Sequence, residues 1–148
     1  MRSMLVVAFG MIVVVSLAPQ DVKAEAQGDD LVRMSKLSIS AFECSVVATD
    51  KKEDARLFEV GLAAGRKFLD GMNRLEPAER QKVEREVALI WLNKDSPSKD
   101  FVLGEVYQFV RERVFHELDY YQNEGGELAI LNGNKGRMFL QKNCSLIQ

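Results

Sequence analysis

The stretch "RERVFHELDYYQ" contains His116, the single histidine of the 148-residue chain. Glu112 precedes it by four residues and Asp119 follows it by three, so on a helix the three share a face. A histidine flanked by carboxylates can act as a general base or a weak metal ligand. The commoner outcome is a solvated ion-pair face. "HELDY" falls short of the zinc motif His-Glu-x-x-His, because Tyr120 stands where the second histidine belongs. No serine sits in a nucleophile elbow. Carboxylates such as Glu84, Glu86 and Glu112 are plentiful, but each has lysine or arginine nearby and reads as a helix surface rather than one wall of a glycosidase cleft. No catalytic residue, metal site or cofactor is expected.

Glycines offer a second kind of chemistry. "RLFEVGLAAGRKFLDGM" carries Gly61, Gly65 and Gly71 inside a helical pattern, where each glycine costs roughly 1 kcal/mol against alanine. A dinucleotide fingerprint needs Gly-x-Gly-x-x-Gly after a strand, and a P-loop needs four residues between its glycines; neither fits. The membrane Gly-x-x-x-Gly motif needs an apolar 20-mer, which Glu59, Arg66, Lys67 and Asp70 interrupt. Gly61 and Gly65 stack on one helical face. They are expected to admit close approach of a neighbouring helix, with Gly104 as counterpart. A binding groove lined by bare backbone is the functional alternative.

Apolar residues recur at spacings of three and four throughout, with no β-alternation and no internal repeat. The pattern predicts an all-α, single-domain bundle of about five helices. Asp29 or Asp30 can cap a first helix, with Leu31, Met34, Leu37, Ala41 and Cys44 inward, ending near Ala48. Asp50 with Glu53 resembles a capping box and opens a second, to about Leu69. Pro77 suits the first turn of a third, with Val83, Val87, Ile90 and Trp91 inward until "KDSPSKD" breaks it. Ser98 caps a fourth that turns Phe101, Leu103, Val106, Tyr107, Val110, Val114 and Leu118 inward until "NEGGE". A last segment, Glu127 to Cys144, is weakened by Gly133 and Gly136.

The chain begins "MRSMLVVAFGMIVVVSLAPQDVKA": a basic start, an apolar run from Leu5 to Leu17, then Val22 and Ala24 at the −3 and −1 positions. These are the parts of a secretory signal peptide. The alternative is an uncleaved anchor, but the run is shorter than the about 20 residues a bilayer requires. Cleavage is expected after Ala24, or second after Ala26, leaving a helical domain of residues 25–148. That removes Arg2, Lys23 and Asp21 and makes the chain one unit more acidic than its net −2, a balance that disfavours nucleic acid. No further apolar run is long enough to insert in a membrane. In an oxidising compartment the two cysteines, Cys44 and Cys144, are expected to form one bridge.

Phe115, His116, Tyr120 and Tyr121, beside the glycine-rich "NEGGE", form a candidate partner surface, since tyrosine offers area and a polar tip together. The even alternative is that Tyr121 completes the core and Tyr120 caps it.

The residues Cys44, Leu57-Phe58-x-x-Gly61-x-x-x-Gly65-x-x-Phe68, Pro97-x-x-Asp100-Phe101-x-Leu103-Gly104-x-Val106-Tyr107 and Asn143-Cys144 span most of the mature chain. In them the chain resembles a group of small exported bacterial helical proteins that share no agreed activity. In size, helicity, export and single disulfide it is also similar to immunity proteins of type VI secretion amidase effectors, a similarity at the level of fold. The expectation is a periplasmic, non-enzymatic binding or immunity-like protein that occludes or stabilises a protein partner of the cell envelope, with a homodimer as a further arrangement. A structural or stress-related envelope factor without a dedicated ligand, and a small carboxylate-based hydrolase, are the alternatives.

Overall fold

The computed structural model describes residues 20–92, 96–118 and 127–148, with side chains over 27–92, 96–118 and 134–148. Its helices are α1 (Gln20–Val47), α2 (Lys51–Met72), α3 (Pro77–Glu86), α4 (Lys99–Leu118) and α5 (Glu127–Gln141). Short 3-10 turns follow α3 at Leu89–Leu92 and α5 at Cys144–Leu146. The fold is all-α, and no strand occurs among the described residues.

Local chemistry explains most of the boundaries. Asp50 is extended and its carboxylate accepts from the Lys52 amide at 2.9 Å, which satisfies one orphan donor of α2. Glu53 does not complete a capping box; it pairs with Arg56 one turn on, and that guanidinium holds its carboxyl below the ordinary value. Pro77 occupies the first turn of α3. Ser98 Oγ accepts from the Phe101 amide at 3.2 Å and opens α4.

Two boundaries differ from expectation. Asp29 and Asp30 do not cap α1, which already runs from Gln20. Asp30 sits inside the helix between Arg33 and Lys67, and these cations lower its carboxyl pKa. The third helix does not reach Trp91: Val87 turns extended, and a 3-10 turn carries Leu89 to Leu92.

α1 and α2 form an antiparallel hairpin. Gly61 lies against Phe42, Gly65 against Ser38 and Gly71 against Leu31, so the numbers run in opposite directions along the seam. The buried Ser38 hydroxyl donates to the Gly61 carbonyl at 2.7 Å, and Ser45 donates to Asp54 at 2.9 Å. α4 lies across this hairpin. Its buried row is Val102, Leu103, Val106, Val110, Val114 and Leu118. Phe42, Phe58 and Tyr107 join the three helices through a ring cluster with centroids 5.0–5.7 Å apart. Burying such rings stabilises by roughly 25 cal/mol per Å² of apolar surface, with a further increment for edge-to-face geometry.

The carboxy-terminal segment is fastened at one end of the bundle. Cys44 on α1 is bonded to Cys144, with Cα atoms 5.5 Å apart and both residues buried. Beside the bridge, Glu43 binds Arg113 of α4 and, at 3.1 Å, Lys142, which also reaches Glu117 at 3.7 Å. Arg56 donates to the Ile147 carbonyl at 2.8 Å. Asn143 adopts a left-handed conformation, φ 54°, and so turns the chain back toward α1 just before the cysteine; asparagine tolerates that conformation better than most residues.

Candidate functional site

His116 is exposed on α4, and Glu112 lies one turn before it on the same side. Asp119, the other expected flank, lies outside the described residues, as do Tyr120 and Tyr121. Among the described residues no group of three or more histidine, cysteine or acidic side chains is placed to hold a metal ion. Phe115 is half-buried against the core. The Arg111 guanidinium and the Lys135 ammonium lie 5.3 Å and 5.7 Å from its ring centre, so that ring joins α4 to α5 through cation–π contacts.

The glycines divide. A Cβ on Gly61 would lie 2.5 Å from the Phe42 ring, and one on Gly65 would lie 2.3 Å from Leu103 Cδ2 and 2.9 Å from Ser38 Oγ. Both are buried at helix crossings. Gly104 is not their counterpart. Nothing lies within 4 Å of where its Cβ would stand, and it faces outward. The partner surface against Gly65 is Leu103; one residue later the helix has turned about 100° and points away. Phe101 turns out by the same rotation, and Val102 takes the inward place instead.

Two features of the surface were not visible in the pattern. The first is the outer face of α4. Phe101 is 50% exposed and Phe109 44% exposed, with Gly104, Glu105 and Gln108 between them. The positions follow spacings of three and four, so they form one stripe, and together with Asp100 and Glu112 they line a shallow groove of about 540 Å³. Bare backbone at Gly104 forms its floor. Its rim is acidic: Asp100 pairs with Arg66 at 3.2 Å, Glu105 accepts from Ser96 at 2.8 Å, and Glu112 accepts from Gln108 at 2.7 Å. Arg113 stands 5.7 Å from the Phe109 ring centre.

The second is a cleft of about 440 Å³ where the ends of α2 and α3, the 3-10 turn and the start of α4 meet. Phe68, Leu69, Met72, Leu92 and Val102 give it apolar walls. Trp91, packed edge-on to Phe68 with centroids 5.0 Å apart, is 95% removed from solvent. Among the described residues its indole N–H has no acceptor, and neither has the Nε–H of Arg80. Lys99 at the rim binds Asp70 and holds that carboxyl below the ordinary carboxylate range.

No family model, curated protein or solved structure matches this chain.

Proposed function

We propose that the protein is an exported, non-enzymatic binding protein of the bacterial periplasm, immunity-like in mode, that docks a protein partner on the outer face of α4. The observation that carries this reading is the pair of half-exposed phenylalanines flanking bare backbone at Gly104 on a helix whose other side is fully buried. Contiguous apolar surface rimmed by polar groups marks interaction sites. The acidic rim of Asp100, Glu105 and Glu112 selects a basic, amphipathic helix with apolar side chains spaced to fill the groove. It also disfavours a homodimer through this face, since an isologous contact sets the same carboxylates against each other. Support for export comes from the amino-terminal pattern, of which residues 1–19 lie outside the described residues and Gln20 to Ala24 form the first turn of α1, and from a disulfide suited to an oxidising compartment. No helix among the described residues is long and apolar enough to cross a membrane.

The docking face is tested with Phe101→Lys and Phe109→Lys, alone and together, in a capture experiment from periplasmic extract. A protein held by the parent and lost from both variants, whose melting curves match the parent, supports the reading. Aromatic anchors at an interface centre contribute about 2 kcal/mol or more, so each single change should weaken the isolated complex by roughly thirtyfold. Retention of the captured protein by the double variant rejects this face. Sedimentation separates self-association from a second chain.

Export predicts that protein recovered from the periplasm begins at Glu25 in an intact-mass measurement. Full-length chain in the membrane fraction would contradict it.

A further inference from the structure

Each glycine of α2 seats a large side chain from elsewhere in the bundle: Phe42 lies over Gly61, Leu103 over Gly65 and Leu31 over Gly71. Gly104 stands in the interior of α4 with nothing within 4 Å of where its Cβ would be. A glycine there costs helix stability against alanine, and among the described residues no contact offsets that cost. Gly136 on α5 is equally open, but no aromatic residue precedes it in that helix, and Phe139 after it is partly buried. On α4 the open glycine lies beside two half-exposed rings, Phe101 and Phe109.

A helix receives the side chain of a facing helix in a hole between four residues, neighbours at spacings of three and four. Phe101, Gly104, Glu105 and Gln108 enclose one such hole, and Glu105, Gln108, Phe109 and Glu112 enclose the next. These residues, with Asp100, are the lining of the groove. The first hole is the deeper, because one of its four corners has no side chain. We propose that Gly104 is the specificity-determining position of the docking face: the partner is a basic helix that seats one large apolar side chain, of leucine size or more, over this glycine. A second apolar side chain, one turn along the partner, enters the hole that Phe109 narrows. Cations beside the two apolar positions meet Asp100, Glu105 and Glu112. The inference rests on the reading of α4 as the docking face, and it adds which residue of that face selects the partner.

Synthetic helical peptides about five turns long, labelled at one end and titrated with the oxidised protein, test this by fluorescence anisotropy. The first has a lysine–alanine background and two leucines one turn apart. Two others replace one leucine or the other with alanine, and a fourth has glutamate for every lysine. The two-leucine peptide should bind saturably and its glutamate version should not. Loss of the leucine that sits over Gly104 should weaken binding by about tenfold or more. Gly104→Ala should weaken the two-leucine peptide by about tenfold and Gly104→Leu by more, while both variants melt at or above the parent temperature. In Gly104→Leu the same leucine-to-alanine exchange should lose its effect, as expected of two groups in contact. If both Gly104 variants bind like the parent while Phe101→Lys with Phe109→Lys abolishes binding, the docking face stands and the role of Gly104 falls. If the double phenylalanine variant binds like the parent, the face is rejected and this inference with it. Preference for the glutamate peptide, or no saturable binding by any of the four, equally refutes the proposal.

Discussion

Replacing Cys44 and Cys144 together with alanine is expected to lower the stability of the bundle by about 2–5 kcal/mol, the largest effect of any change considered for this protein. The bridge spans a sequence separation of 100, and the entropy of closing so long a loop in the unfolded chain is worth about 4.7 kcal/mol in the chain model. Both cysteines are buried, so the lost sulfur contacts add to the loss rather than offset it. The damage should begin at the carboxy terminus. α5 contains Gly133 and Gly136 in its interior; Met138, Phe139 and Ile147 pack only partly on the core, and Leu140 and Leu146 are about three-quarters exposed, so among the described side chains burial holds this segment less firmly than the other helices. Without the bridge it relies on that partial packing, on Lys135 against the Phe115 ring, and on Glu43, Lys142 and Arg56, polar contacts near the surface that contribute little individually. Denaturant melts of parent and variant give the magnitude, and hydrogen exchange gives the order of opening. Equal midpoints would mean that the bridge is an ornament on an already fixed tail. Two titratable thiols in the exported, denatured protein would mean that it does not form there.

The second large effect is expected at Gly65. Glycine to alanine within a helix ordinarily stabilises by about 1 kcal/mol. At Gly104, where open space surrounds the added methyl, that gain should appear in full or nearly so. At Gly65 the methyl would enter Leu103 Cδ2 at 2.3 Å and Ser38 Oγ at 2.9 Å. Ser38 cannot retreat freely, because its hydroxyl donates to Gly61. Overpacking of this kind costs about 1–3 kcal/mol, which exceeds the propensity gain, and Gly65→Leu should be worse than Gly65→Ala. Gly61→Ala meets the Phe42 ring and should behave like Gly65→Ala; at Gly71 the obstacle is the flexible end of Leu31, so the cost should be smaller. Urea melts of the series decide it. If Gly65→Ala and Gly104→Ala shift the midpoint alike, α1, α2 and α4 do not cross as closely as described.

The helices were legible in the chain because their signals are local. Asp50 and Ser98 each accept from an amide within one turn and Pro77 fixes its own φ for the first turn, so no knowledge of the fold was needed to read them. The start of α1 was misread for the same reason. Asp29 and Asp30 have good capping chemistry and follow Gly28, but the helix runs straight through that glycine from Gln20, and the acid at 30 finds its cations on α1 and α2 instead. Apolar periodicity also runs through Val87, Ile90 and Trp91 without showing that the backbone changes to a 3-10 turn there. That turn sets the indole against Phe68 and opens the cleft beside Arg80. Arg80 and Trp91 carry no shared motif; only tertiary placement brings a residue from a highly charged helix beside a lone tryptophan. The outer stripe of α4 depended on a single residue of phase. Leu103 and Gly104 are neighbours in sequence, and one packs on Gly65 while the other faces away.

Because the bridge joins residue 44 to residue 144, the segment between them is a closed ring, and α2, α3, α4 and α5 all lie within it. Tension arriving along the chain from either side passes from α1 directly to the tail through a covalent bond. The ring carries none of that load until the bond is reduced. A single peptide cleavage inside the ring, for instance between α4 and α5, would likewise leave the two pieces joined. The outer face of α4 and the cleft beside it therefore sit in the mechanically shielded part of the molecule, and a reductant would be needed before strain on the ends could reach them.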